Sequence, residues 1–431
     1  MHHLVYINGY IYNMKNLIAL SVPVFFILIG LELLGGLITK KKYYRFNDSV
    51  TNLSCGIGSQ ILGAFFAIIT FWGYTYAFEN FRIFTVAENP LNWFLLFMGI
   101  DFAYYWFHRL SHEINAIWAT HIVHHQSEEY NLSVALRQSW FQTLFSWWFY
   151  LPLAFLGFSP LMIVTVGAFN TLYQFWIHTK AIKKFPKPIE FIFNTPSHHR
   201  VHHGTNPQYI DKNHAGSLII WDRMFGTFEK EDEEVVYGIT SPLNSFNPFR
   251  ANFHYWEELV SNAKKASSLK EKFFVFIKPP GWFPEKMGGF KPALPLDINS
   301  VTKFDIQVRP FINGYVLFHF ILILAITSYY MFSSKKMLDS QNIEILVFAF
   351  YMAMYILLSL FVFGLFFENK ASSIKWEAIR LVSGMGMFWF YRSESWAVWA
   401  FIGLVILSIS SWLLLFVKRS KEDLSVEMVH G

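Results

Sequence analysis

An all-α, multi-pass membrane helical bundle with a cytosol-facing, histidine-rich di-metal site is the fold class this sequence predicts. Three observations carry it. Of 431 residues, 54% are hydrophobic and only 15% charged, where soluble domains carry roughly a quarter charged residues. Several runs approach the length of about 20 apolar residues that a helix needs to cross the hydrocarbon core. Eleven of the 16 histidines fall between His108 and His214. The composition also sets aside disorder and a simple water-soluble enzyme. A net charge of +5 is too modest and too scattered for a nucleic-acid partner. The single Cys55 excludes an internal disulfide and any cysteine-ligated zinc or iron–sulfur site.

Residues 17–38 form the first expected span. Lys40, Lys41, Lys42 and Arg45 follow it, so it reads as an anchor rather than a cleaved leader, with its end in the cytosol. Residues 53–78 and 91–107 are the second and third spans. Residues 141–158 and 161–177 are two more, joined by the turn-like Gly157-Phe158-Ser159-Pro160. A later set comprises 311–332, Ile343–Phe367 and 396–417, with a short weaker candidate at 381–391. Between the sets, residues 179–305 are polar and hold the acidic run 229–234 and Lys278-Pro279-Pro280-Gly281-Trp282. This stretch reads as a partly helical extramembrane region. Counting spans from the first basic flank brings every histidine cluster to one membrane face, the cytosolic one. The organisation expected is therefore 1–90 anchor helices, 91–230 catalytic domain, 231–310 polar cytosolic segment and 311–431 C-terminal transmembrane helices.

Side chains at i, i+3 and i+4 share one face of a helix. His108/His112, His121/His124/His125, Gln174/His178 and His199/His202/His203 would each project their groups in one direction. Nine imidazoles, from His108, His112, His121, His124, His125, His178, His199, His202 and His203, exceed the needs of one ion and suggest two metals. Unpaired at membrane ends they would be costly. The isolated His2, His3, His254, His319 and His430 read as ordinary polar residues, and His214 is left open. All-imidazole sites suit iron, copper, nickel or zinc, whereas magnesium and calcium take oxygen ligands. A pair of redox metals sharing dioxygen fits this ligand number better than a zinc hydrolase, and iron is the expected metal. Asp101, Glu113, Asp211 and Asp222 are the carboxylates placed to orient the imidazoles, Asp101 standing inside an otherwise apolar run. The soluble di-iron arrangement needs two Glu-x-x-His pairs, and the one match, Glu427/His430, lies in the tail. A Gly-x-Ser-x-Gly elbow, a Walker loop and a His-Glu-x-x-His motif are all absent.

The segments WFHRLSHE (106–113), HIVHH (121–125), YNLSVALRQSW (130–140), LYQFWIHT (172–179), NTPSHHRVHH (194–203) and LIIWDRMFGTF (218–228) carry a family likeness. In this order around apolar spans they resemble the fatty acid hydroxylase superfamily of membrane di-iron oxygenases, over roughly residues 90–230. Within it they are most similar to the alkylglycerol monooxygenase branch. The resemblance implies one iron on His108, His121, His124, His199 and His202, and another on His112, His125, His178 and His203. Some relatives carry a histidine where this chain has Gln174, so an amide, a water or an open position is implied there. His198 could replace His199, and His214 stands where an aromatic is common. Glu113 matches a glutamate linked in the family to tetrahydropterin, and Glu113 and Asp101 are the catalytic candidates.

The resemblance further implies tetrahydrobiopterin as electron donor, dioxygen as co-substrate, a glyceryl-ether lipid as substrate and a pterin-recycling reductase as partner. Trp140, Trp147, Trp148 and Trp176 could line a lipid route, but the interfacial aromatic belt is the favoured reading. An alternative keeps the metals and changes the substrate to a sterol, carotenoid, sphingolipid or fatty acid, with a cytochrome or ferredoxin as donor. A metal transporter would place its ligands at mid-span rather than at span ends. The expected membrane is the endoplasmic reticulum in a eukaryote or the inner membrane in a bacterium.

Overall fold

The computed structural model describes residues 2–292, 301–338 and 340–387, with a few positions between 403 and 413. Among them the secondary structure is helical, with isolated bridges at Gly204–Tyr237 and Trp282–Phe290. The chain forms two compact units. The first takes residues 1–244 and 249–304; the second takes residues 245–248 and the described residues from Asp305 onward.

The first unit opens with α1 (His2–Ile38) and α2 (Phe46–Phe81). Both are long and apolar enough to cross a membrane, α1 over Leu20–Ile38. The next helix, α3 (Pro90–Glu113), starts where its sequence says it should. The Asn89 side chain accepts the Asn92 N–H at 2.9 Å, and Pro90 occupies the first position, where no N–H is needed. Two single-turn helices follow, α4 (Asn115–Trp118) and α5 (Ile122–His125).

Residues 141–158 do not form the single span expected. They break into α6 (Gln142–Ser146), a 3-10 turn (Trp147–Tyr150) and α7 (Leu151–Phe155). Pro152 cannot donate to a carbonyl one turn back, so the ladder restarts there. Gly157 then turns the chain at φ +96°, with its missing Cβ position 2.1 Å from the Phe84 carbonyl oxygen, a spot no other residue could fill. Apolar composition without an unbroken backbone ladder gave a false span.

Helix α8 (Pro160–Trp176) repeats the start signal of α3, with Ser159 accepting the Met162 N–H and Pro160 at the first position. Leu96 and Ile100 of α3 pack with Leu153, Phe158, Met162 and Val166 in one core. On the other side of α8, Phe175 stacks on Phe25 of α1 at 4.1 Å. The polar region supplies α9 (Lys187–Ile192), α10 (Pro196–His202), α11 (Ile220–Phe225), α12 (Pro248–Lys265) and α13 (Leu269–Ile277).

In the second unit, α14 (Pro310–Leu338) and α15 (Ile343–Phe367) are long and apolar enough to span, α14 over Pro310–Ser333, and α16 (Ser373–Gly386) follows. Four of the eight expected spans thus meet that description. Helices α3 and α8 form at the expected places, but α3 is polar at its last turns and α8 has 17 residues. Residues 381–386 of the weaker candidate fall in α16, while residues 388–391 and most of the span at 396–417 lie outside the described residues. Among the described residues, four helices stand behind the alternating count that put the histidines on the cytosolic side.

Candidate metal centre

Nine buried imidazoles converge from four places in the first unit. The last turns of α3 give His108 and His112. His121, at the N-cap of α5, and His124 and His125 in its last turn form the second source. His178 follows the end of α8. Helix α10 gives His199 and His202, and its C-cap is His203. The nitrogens gather into two groups, each with its ligand atoms within 4.8 Å of one another. The first is His108, His112, His121, His125 and His202; the second is His124, His178, His199 and His203.

All nine candidate ligands come together, but not in the partition the family resemblance implies. His112 and His125 join the first group, and His124 and His199 the second. Helix geometry accounts for the change. Positions i and i+4 diverge by about 40° and i, i+3 by about 60°, so the pairs that stay together are His108/His112, His121/His125 and His199/His203. The i+3 members, His124 and His202, turn to the other group.

Hydrogen bonds fix which nitrogen is free. His108 Nδ1 lies 2.7 Å from the His214 carbonyl, His202 Nδ1 2.9 Å from the Lys212 carbonyl, His124 Nδ1 3.0 Å from the Arg137 carbonyl and His178 Nδ1 2.7 Å from the Gln174 carbonyl. A carbonyl oxygen only accepts, so in all four rings Nδ1 carries the proton and Nε2 presents a lone pair. Yet His124 Nε2 and His178 Nε2 stand 3.1 Å apart, two lone pairs facing each other. The Nε2 atoms of His112, His202 and His203 are buried without any partner. Burial first, then the neighbouring imidazoles, hold His199, His202 and His203 well below the ordinary imidazole range, and burial pulls His124 down to about 4. These rings are neutral at pH 7. Facing, neutral nitrogen lone pairs are relieved by a cation, and the donor set fits two transition-metal ions.

The backing is concentrated in one short turn. Asp211 and Asn213 both adopt φ +56°, a left-handed conformation in two non-glycine residues. From this turn the Asp211 carboxylate accepts His112 Nδ1 at 3.1 Å, the Lys212 carbonyl holds His202 and the His214 carbonyl holds His108. Three of the five first-group imidazoles are oriented by residues 211–214. Asp222 fixes the turn by accepting the His214 and Ala215 N–H groups and the Thr227 hydroxyl. Burial raises its carboxyl to about 6, against those donors.

Asp101 makes no hydrogen bond to an imidazole. It accepts from the Ser217 and Leu218 N–H groups, Trp221 Nε1 and Asn170 Nδ2, at 2.7–3.0 Å. It is a positioning residue for the loop after residue 214, and a Cβ on Gly216 would come within 2.8 Å of its oxygen. Asp101, a catalytic candidate by sequence, thus has its oxygens engaged by four donors, none of them an imidazole. The Gln174 side chain donates through Nε2 to Asn170 Oδ1 at 2.7 Å, and its backbone carbonyl holds His178. His198 turns away from both groups and lies 3.0 Å from Glu190, so it does not stand in for His199. Glu113 is exposed at the end of α3, paired with Arg109 at 2.9 Å, and Arg109 lies over Trp106.

Three supports were not anticipated. Buried Glu32 of α1 accepts the Leu132 N–H at 2.9 Å and hydrogen bonds from Thr179 and Tyr44, tying the anchor helix to the residue after His178. Arg137 binds the Val123 carbonyl, Asn52 and Gln126 while its own carbonyl holds His124. Arg200 forms a two-pronged pair with Glu231 and reaches the Thr179, Ile182 and Lys183 carbonyls. A charge inside an apolar run was the available signal for Glu32. The acidic run 229–234 concealed Glu231 among solvated neighbours.

Comparison with known proteins agrees with this centre. The fatty acid hydroxylase family model matches residues 93–227, which contain all nine imidazoles. An alkylglycerol monooxygenase of Xenopus tropicalis is 41% identical over 83% of this chain and 78% of its own length. The Homo sapiens alkylglycerol monooxygenase is 44% identical over 71% and 69%. An ornithine lipid hydroxylase of Rhizobium tropici is 30% identical over 30% of this chain and 39% of its own. No solved structure matches. The chain belongs to the alkylglycerol monooxygenase family of membrane fatty acid hydroxylases.

Proposed function

We propose that this protein is an oxygen-dependent lipid monooxygenase that cleaves glyceryl ethers, using two iron ions and tetrahydrobiopterin. The observation that carries the reading is the pair of imidazole groups, four of whose rings have Nδ1 on a backbone carbonyl and Nε2 as the remaining ligand atom. Identity of 41% to an alkylglycerol monooxygenase supports the substrate class. His108, His112, His121, His125 and His202 would hold one iron, and His124, His178, His199 and His203 the other. When bound, the irons would supply dioxygen activation, so that one oxygen atom would enter a C–H bond beside the ether oxygen and the other would leave as water, with two electrons from the pterin. The resulting hemiacetal collapses to a fatty aldehyde and a glycerol product.

The protein's own groups orient and exclude. The capped Nδ1–H groups of His108, His112, His124, His178 and His202 orient those rings and raise the basicity of the opposite nitrogen. Burial of all nine rings keeps bulk water from the reacting centre. Glu113, exposed and paired with Arg109, is suited to accept hydrogen bonds from the N–H groups of a pterin ring, exchanging that partner. The basic flank after Ile38 favours a cytosolic active face, where a pterin and its recycling reductase are available.

The test is fatty aldehyde release from an alkylglycerol by membranes carrying the protein, under air, with and without tetrahydrobiopterin. Pterin-dependent aldehyde is expected. Iron-loaded protein that releases none would move the substrate to another lipid and the donor to a cytochrome or ferredoxin.

A further inference from the structure

The turn that orients three imidazoles contains one of its own. His214 is 1% exposed. Its Nε2 lies 3.1 Å from the Asp211 carbonyl. Because that oxygen only accepts, Nε2 carries the proton and Nδ1 is left with the lone pair. That Nδ1 is buried and has no partner. An acceptor left unsatisfied in the interior costs stability and calls for an explanation.

Ring spacing supplies one. The His214 ring centroid is 5.0 Å from His112 and 5.7 Å from both His108 and His202. Within the first group itself, centroid spacings run from 4.3 Å for His108–His202 to 6.3 Å for His121–His202. By ring centroid His214 thus stands from three of the five at the distances the five keep from one another, while its nitrogens lie outside the set that gathers within 4.8 Å, so ligation would draw the ring inward. Its backbone is doubly anchored, its N–H on Asp222 and its carbonyl on His108. The ring is thus presented to the site rather than left to drift from it.

We propose that His214 is a sixth imidazole of the first metal site, with Nδ1 completing the shell begun by His108, His112, His121, His125 and His202. The proposal rests on the two-metal reading and deepens it. Six imidazoles fill the coordination of a first-row metal, so the first site is closed. The second site, with four, keeps the open positions that a small ligand such as dioxygen requires.

Purified protein stripped of metal and reloaded with cobalt(II) tests this without reference to activity, because the visible bands of cobalt(II) report its coordination number. The parent should take up two ions per chain, one six-coordinate and one of lower coordination. His214→Phe keeps the ring volume and removes the lone pair. It should raise the visible absorption and speed chelator removal of one ion by roughly tenfold or more, leaving the other unchanged. Should the Phe variant not fold, His214→Gln, which keeps a donor for the Asp211 carbonyl, gives the same readout. A folded variant with the parent's spectrum and release rates would overturn the role of His214 and leave the two-metal reading intact. A parent that takes up fewer than two ions would overturn both.

Discussion

Behind many of the metal-facing nitrogens stands an oxygen that decides where its ring points. Among the described residues Asp211 is the one carboxylate with that duty, holding His112 while itself largely exposed. Asp211→Ala should weaken metal at the first site by 10- to 100-fold, the usual effect of removing a partner one step behind a ligand. Competition against a chelator of known affinity reads this, and an unchanged affinity would assign the orientation of His112 to packing alone. Glu113 touches no imidazole. Glu113→Ala should raise the apparent tetrahydrobiopterin requirement while leaving metal content intact, and an unaltered pterin response would remove that role. At this scale the sequence showed the imidazoles because helical spacing is written in side chains. It did not show their partition, since His124 and His125 are adjacent yet diverge by about 100° on a helix. Nor did it show their backing, because the Lys212, His214, Arg137 and Gln174 carbonyls belong to the backbone and leave no mark in residue type.

Helices α3 and α8 were legible where local chemistry starts them. Asn89-Pro90 and Ser159-Pro160 each put a capping side chain before a proline, and both helices begin there. The failed span at 141–158 shares their apolar content, but Pro152 and Gly157 interrupt its hydrogen-bond ladder. Asp101 shows how far an element depends on one side chain. It joins α3 to the first turn of α11 and to α8 through Ser217, Leu218, Trp221 and Asn170. Asp101→Ala would strip four donors of their acceptor, each worth about 1–3 kcal/mol when left unsatisfied. A loss of at least about 2 kcal/mol in stability is expected, together with weaker metal retention, because the turn at 211–214 leads into the loop it holds. Thermal unfolding of the metal-free protein isolates the first effect, and an unshifted midpoint would contradict it.

Across the whole molecule, membrane composition and a polar metal centre were both evident in the sequence, while the second unit's interior was not. Arg380 is 1% exposed and Glu377 fully buried. They pair at 2.6 Å, and Arg380 Nη2 also donates to His319 Nδ1 at 3.0 Å. His319, expected to be an ordinary isolated histidine, is thus part of a buried ionic cluster. Spacing alone cannot reveal this, because His319 and Arg380 lie on different helices. Arg380→Ala would leave Glu377 buried and unpaired, at a cost of about 3–5 kcal/mol. Proteolysis of the second unit under increasing denaturant would register the change, and parental resistance would contradict it.

The central claim is that nine imidazoles make two metal sites in the partition found here. Its most direct test is the iron-to-protein ratio of the parent, His112→Ala and His203→Ala in purified, folded form. The account predicts about two irons in the parent and about one in each variant, with His112→Ala emptying the first group and His203→Ala the second. A parent holding a single iron, or variants that both keep two, would contradict it.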